Sequence, residues 1–229
     1  MNCSRLLFAA LIISSIFYSC DSDNPDGPKG GSDLSITFSI NRSQSWFPED
    51  LGGVEKECMI YAGIERNGEP VTDAKVVVNG IELSFESVFL ERYIAQIEYS
   101  DITPGQKVKC SITIDGKTAE EEVVMPGDVT PSSDGSSVSW KHEGNGDFIY
   151  IQEIQPDGLL SRETTYMSSE EKGDLTSPAA IPASAYPKTG TAYLLTTVVR
   201  NSKYNAFSSL SAESAIITAS DLVSARVAR

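Results

Sequence analysis

The chain has 229 residues, 40% of them hydrophobic, and it carries 18 Lys and Arg against 32 Asp and Glu, a formal net charge of −14. This length suits one large or two small domains, and the hydrophobic fraction is sufficient for buried cores. The negative charge repels phosphate backbones and anionic headgroups, so we expect no nucleic-acid partner. Contact with a membrane is expected to come from a lipid instead.

The first 20 residues have the pattern of an export signal. Arg5 supplies a positive charge, and an apolar run follows from Leu6 to Tyr18. That run is shorter than the roughly 20 apolar residues that a transmembrane helix needs. A charged start and a short apolar run are typical of a secretory signal, predicted here at 1–19.

The end of the apolar run, Ser19-Cys20, resembles the lipobox of bacterial lipoproteins. Phe17 and Tyr18 replace the commoner small or Leu residues, a looser pattern similar to lipoproteins of the Bacteroidetes. The resemblance implies that Cys20 is acylated, becomes the new amino terminus and anchors the chain in the outer membrane. The acidic residues soon after Cys20 also resemble the signal that sends Bacteroidetes lipoproteins to the cell surface, so this location is expected rather than the periplasmic face. The alternative is an incidental thiol after an ordinary cleavable signal.

The segment after the lipidation site is predicted to be a tether. Gly, Pro, Asp and Ser dominate residues 21–33. Such a segment cannot bury enough apolar surface to offset the entropy of ordering it, so we predict a flexible linker over 20–33.

The next segment, 34–127, is predicted to be all-β. Apolar and polar residues alternate in LSITFSI and CMIYAGIE, and Gly and Pro recur at short intervals. Turn dipeptides typical of β-hairpins occur at Asn67-Gly68, Asn79-Gly80 and Asp115-Gly116. This spacing predicts an antiparallel β-sandwich.

Two cysteines of this segment are predicted to face its core. Cys58 alternates with Ile60 and Ala62, and Cys110 alternates with Val108 and Ile112. A disulfide between facing sheets is one interpretation, since an exported protein meets an oxidising compartment. The arrangement resembles the immunoglobulin fold, with the two cysteines on its strands B and F. Two free buried thiols are the alternative.

A second β-sandwich is predicted for residues 128–219, after a boundary at Met125 to Asp128. Its pattern resembles a fibronectin type III domain, which carries a core Trp on strand B, matched by Trp140, and an aromatic-apolar strand F, matched by Tyr193 and the residues after it. The fold class is therefore all-β, with two tandem antiparallel sandwiches, the first immunoglobulin-like. Residues 220–229 are predicted to be a tail, helical or disordered.

Residue types that carry chemistry are sparse, and we predict no enzyme, no cofactor and no metal site. His142 is the single histidine and follows no nucleophile motif, so a solvated side chain is the favoured interpretation. One His and two cysteines cannot supply a zinc site with its usual four ligands. Glu120 and Glu122 are interpreted as protection of an edge strand rather than as glycosidase acids.

Trp46 and Phe47 are the candidate binding residues, because an exposed aromatic ring can stack on a sugar or fill a partner's pocket. Packing at the end of the first sandwich is the alternative. The stretches GEPVTDAKVVVNG and PGQKVKCSITIDGKTAEEEVVMPGD are similar to the first domain of Bacteroidetes lipoproteins linked to TonB-dependent receptors. The resemblance implies a surface lipoprotein that serves an outer-membrane receptor. A glycan-binding module and an adhesin or pilus-type protein are the alternatives.

Overall fold

The computed structural model describes residues 32–46, 54–141, 148–154, 160–168, 176–181 and 192–228. These residues form strands, turns and a short 3₁₀ helix, Ser208–Leu210. The prediction of an all-β fold is confirmed. The strands, in chain order, are β1 (Ser32–Trp46), β2 (Val54–Arg66), β3 (Glu69–Pro70), β4 (Lys75–Val78), β5 (Ile81–Glu82), β6 (Ser84–Glu86), β7 (Arg92–Ile97), β8 (Lys107–Ile114), β9 (Lys117–Val124), β10 (Thr130–Pro131), β11 (Ser137–Ser139), β12 (Phe148–Ile154), β13 (Leu160–Ser168), β14 (Ala179–Ala180), β15 (Ala192–Tyr204) and β16 (Ala212–Ala228).

The strands form one long sheet and two short ones. Sheet A has nine strands in the order β13-β12-β15-β16-β1-β2-β7-β6, with β3 added beside β2. Sheet B has the order β5-β4-β8-β9, and sheet C has the order β10-β11-β14. All neighbouring pairs are antiparallel except β1 and β16, which run parallel.

Three hairpin turns occur where the sequence predicts them. Asn67, Asn79 and Asp115 adopt positive φ angles of 54°, 47° and 51°, and the glycine after each is also left-handed. Two successive left-handed residues suit a two-residue hairpin, and Asn, Asp and Gly are the residues that tolerate them. The turn chemistry therefore sets the register of β2–β3, β4–β5 and β8–β9.

Two hydrophobic cores lie against the same face of sheet A. The larger core packs β1, β2, β7 and the first half of β16 against sheet B, and Phe38, Ile60 and Ile112 are among its buried members. The smaller core packs β12 and β15 against sheet C, with Trp140 and Ile149 buried. Trp140 thus has the core position that the sequence predicts.

The connectivity differs from a simple tandem of sandwiches. β1 belongs to the predicted first module, yet it pairs with β16 from Ser32↔Ala212 to Gln44↔Val223. Residues 220–228 are consequently the second half of a strand, not the helical or disordered tail that we predicted. Alternation of Ile217, Ala219 and Val223 on the inner face explains the strand, because the two cores cover this face from Ile217 to Val223. Ser32–Arg229 forms one compact unit.

The chain passes from sheet B to sheet C between Val124, the end of β9, and Thr130, the start of β10. Met125, Pro126 and Gly127 are buried there, and the backbone N–H of Lys141 donates a hydrogen bond to the carbonyl of Gly127. A Cβ atom on Gly127 would overlap the backbone carbonyl of Lys141. Glycine is therefore needed at this crossing for lack of space.

Candidate functional site

A buried ion pair lies on the inner face of sheet A, where the two cores meet. Arg42 of β1 is directly opposite Asp221 of β16, and Arg42 Nη1 donates to Asp221 Oδ2 at 3.1 Å. The two side chains are 4% and 3% exposed. Cys58 on β2 is opposite Arg42, and Val199 on β15 is opposite Asp221, so these residues form one row across the sheet.

The charges of this pair are poorly compensated. Arg42 Nε and Asp221 Oδ1 are both buried, with no hydrogen-bond partner among the described residues. Burial raises the pKa of Asp221 to about 6, Arg42 opposes that rise, and Asp128 adds to it. The cost of removing a carboxylate from water thus exceeds the gain from its partner, as is common for buried ion pairs.

An aromatic ring covers the guanidinium. The Cζ atom of Arg42 lies 4.1 Å from the centroid of the Tyr99 ring, and Lys56 Nζ lies 5.5 Å from it. Such cation–π contacts are favourable and supply Arg42 with a second partner. Burial raises the pKa of Tyr99, and Asp221 adds to the rise.

The thiol beside this pair is in its unreactive form. Burial raises the pKa of Cys58 to about 12, with Arg42 opposing the rise. Burial likewise raises the pKa of Cys110 to about 12. Because the thiolate is the nucleophile and the metal ligand, neither sulfur is chemically active at neutral pH. The arrangement holds β1 to β16 and offers one proton-accepting group, Asp221, that titrates near pH 6.

Cys58 and Cys110 both face the core from different sheets, as the sequence predicts, and both are free thiols. The disulfide that we predicted between them is not formed in this structure. Each thiol instead packs among apolar side chains of the larger core, which is the alternative that the sequence left open.

The second candidate surface is an exposed apolar turn between β6 and β7, which we call the apolar tip, residues Val88, Phe89 and Leu90. Their exposed fractions are 71%, 89% and 39%. The carboxylate of Glu86 accepts hydrogen bonds from all three backbone N–H groups, at 2.9, 3.1 and 2.9 Å. Glu91 closes the turn with a φ of 49°. The apolar side chains are therefore presented by an ordered turn.

Several predicted site residues cannot be compared with the structure. Cys20, Phe47 and His142 lie outside the described residues. Trp46 is the last residue of β1 and is opposite Val54 of β2, but its side chain is outside the description. The predictions of acylation at Cys20 and of binding by Trp46 and Phe47 therefore stay predictions.

The acidic residues of β9 lie where residues that protect an edge strand from pairing with another chain are expected. β9 is an edge strand of sheet B. Glu120 pairs with Lys109 at 2.8 Å, and Glu122 pairs with Lys107 at 3.2 Å, all four side chains being more than half exposed. Glu121 points the other way, accepts the N–H of Phe207 at 2.9 Å and pairs with Lys203, so it fixes the connection between β15 and β16.

Two features escaped the sequence interpretation. Arg42 continues the inward series Phe38, Ile40 on β1, so a charge at a core position was the available signal for the ion pair. The run Val88-Phe89-Leu90 beside a turn was the signal for the apolar tip, but exposure cannot be told from burial in so short a run.

The described residues contain no group of three or more His, Cys, Asp or Glu side chains that could hold a metal ion. Within the same part of the chain, no helix has the length and apolar character needed to cross a membrane. A scan of protein-family models finds no match to this sequence, and a search of curated proteins finds no significant match.

Proposed function

We propose that this chain is a lipid-anchored, non-catalytic binding protein of the cell envelope. The observation that carries the proposal is the order of three features in the sequence. A charged and apolar start ends at Ser19-Cys20, a polar segment follows, and the β-strand body begins at Ser32. That order is typical of an exported lipoprotein held away from a membrane by a tether.

The place of β1 in the sheet supports this proposal. β1 is the strand that directly follows the tether, and it is hydrogen-bonded to β2 on one side and to β16 on the other. A pull along β1 acts on both ladders at once, so many hydrogen bonds resist it together. The buried pair of Arg42 and Asp221 adds a side-chain contact between β1 and β16. An anchored protein needs such a firm connection between anchor and body.

The finer fold assignment belongs to the same proposal. An immunoglobulin-like module at 34–127 and a fibronectin type III-like module at 128–219 would share sheet A. Trp140 in the smaller core supports the second module, and the inward-facing Cys58 and Cys110 support the first. The partner that we propose is an outer-membrane receptor of the TonB-dependent class.

The test is metabolic labelling of producing cells with an alkyne analogue of palmitate. Label in the wild-type chain and its loss in Cys20→Ser would support the anchor. As a matched control, Cys58→Ser alters a thiol of the body and should keep the label. An unlabelled wild-type chain, or a mature amino terminus at another residue, would contradict the proposal. Crosslinking in intact cells, followed by mass spectrometry of the captured proteins, tests the receptor partner.

A further inference from the structure

The apolar tip is at the end of sheet A where β1 begins. β7 runs parallel to β1, and Tyr93 of β7 and Phe38 of β1 are both opposite Ala62 of the strand between them. The turn before Arg92 therefore extends toward the level of Ser32. β7 is two strands from β1, a lateral separation of about 10 Å at normal strand spacing.

The segment that precedes β1 in the sequence joins sheet A at this same end, at Ser32. The twelve residue-to-residue steps from Cys20 to Ser32 span at most about 40 Å when fully extended. As a flexible coil, a segment of this length has a root-mean-square end-to-end distance of about 20 Å. An acylated Cys20 would thus hold this end of sheet A within a short distance of the bilayer.

The chemistry of the tip suits a lipid surface. Val88, Phe89 and Leu90 are the exposed large apolar residues of one turn, with Tyr204 the one other such residue in the described part of the chain. The Glu86 carboxylate satisfies the N–H groups of the turn, so they need no water when the side chains leave it. A backbone N–H group without a partner costs free energy wherever water is excluded.

We propose that the apolar tip inserts into the interfacial layer of the bilayer that carries the lipid anchor, as a second and non-covalent membrane contact. This inference rests on the proposed function. The tip alone is small and would bind weakly. The anchor raises its effective concentration at the bilayer, as for any second site on one chain. The two contacts together fix which end of sheet A faces the membrane.

The experiment places a tryptophan at the tip of the full-length, cell-produced protein. Phe89→Trp is compared with Ser100→Trp, an exposed position in the turn after the other end of β7. Both proteins are reconstituted into phosphatidylcholine vesicles that contain brominated phosphatidylcholine, which quenches nearby indoles. Wild type, with Trp46 and Trp140, gives the background. Equal urea midpoints show that both variants fold.

The expected result is that bromolipid removes about half of the added fluorescence of Phe89→Trp and little of that of Ser100→Trp, as for groups at and away from the interface. Equally weak quenching in the two variants would show that the apolar tip does not contact the bilayer. A protein partner would then be favoured for the tip. The mass of the amino-terminal peptide is measured on the same sample. An acylated protein with an unquenched tip refutes this inference alone, whereas an unacylated protein refutes the proposed function.

Discussion

Arg42 Nη1 and Asp221 Oδ2 lie 3.1 Å apart, although 179 positions separate the two residues in the sequence. The contact joins the first and the last strand of the body across their parallel ladder. The contact is also almost completely shielded from solvent, because both side chains are buried. Removal of one partner therefore leaves a charge that water cannot reach.

We expect Arg42→Met to lower the free energy of unfolding by about 3–5 kcal/mol, because it leaves Asp221 buried without a cation. Urea denaturation followed by circular dichroism measures the loss. The double variant Arg42→Met/Asp221→Leu is the control. It should recover most of the loss, since an apolar pair of similar volume often replaces a buried ion pair at little cost. A single variant as stable as wild type would contradict the prediction.

The pH dependence of stability should also report on Asp221. Its pKa is raised by burial from 3.8 to about 6 in the folded chain. Between about pH 4 and 6 the unfolded chain has lost this proton and the folded chain keeps it. The contribution of Asp221 to the free energy of unfolding is therefore fully present below about pH 4. It falls by on the order of 2 kcal/mol as the pH rises to 6.

The difference between the unfolding free energies of wild type and Asp221→Asn, taken at several pH values, isolates that contribution. The charged groups that act on Asp221 are Arg42, which lowers its pKa, and Asp128, which raises it. Neither is altered in the variant. A difference that is flat from pH 4 to 6 would show that folding leaves the pKa of Asp221 at its ordinary value, and one that grows in favour of wild type would show a lowered pKa; either would contradict the prediction.

Much of the larger core could be predicted from the sequence. Residues 58, 60, 62 and 64 alternate in the sequence and are all buried, and the Asn-Gly and Asp-Gly turns are where they were expected. Both signals are local, since a strand face and a tight turn are specified by a few neighbouring residues. Local patterns therefore predicted strands and faces well.

The pairing of β1 with β16 could not be predicted in the same way. It joins residues about 180 positions apart, and no turn between them fixes the register. The last strand also carries Asp221 at an inward position, which weakens its apolar alternation. Only the position of Arg42 opposite it explains the charge, and that position is a property of the folded sheet. The exposure of Phe89 is likewise a tertiary property.

The free thiols lead to a chemical prediction. Since Cys58 and Cys110 have pKa values raised to about 12 by burial, both are protonated and inaccessible at pH 8. We expect neither to react with iodoacetamide in the folded protein. After unfolding in urea without a reductant, both should carry the label, as located by peptide mass spectrometry. Labelling that appears only after reduction would show that the two cysteines are bridged.

Glu86 should order the apolar tip without supporting the rest of the fold. In Glu86→Ala the N–H groups of Val88, Phe89 and Leu90 lose their acceptor, so their hydrogen exchange should accelerate by about tenfold or more, as for local opening. The urea midpoint should not change. Ser87→Ala, an exposed neighbour, is the control and should leave exchange unchanged. Equal protection in both variants would assign the order of the turn to its backbone alone.

The same carboxylate gives the tip a pH dependence of known sign. The N–H groups of Val88, Leu90 and Phe89 lower the pKa of Glu86 below its usual 4.5. The contact with Glu86 therefore orders the apolar tip fully above about pH 4.5, the usual pKa of Glu. This ordering is lost as the pH falls through the lowered pKa of Glu86. On acidification, exchange at the tip of wild type should approach that of Glu86→Ala after correction for the intrinsic rates. A constant gap between the two would contradict this reasoning.

Among the glycines of the described residues, Gly127 should tolerate replacement least. In Gly127→Ala the new Cβ meets the backbone of Lys141, its carbonyl carbon being 2.9 Å away, and backbone cannot turn aside as a side chain can. We expect a loss of about 2–3 kcal/mol in the free energy of unfolding, in the range of overpacked interiors. Gly63→Ala is the matched control, because its Cβ meets only Thr37 Oγ1, at 2.7 Å, on a side chain free to rotate. That variant should lose less than about 1 kcal/mol. Equal losses would mean that the crossing between sheets B and C can shift to admit a methyl group.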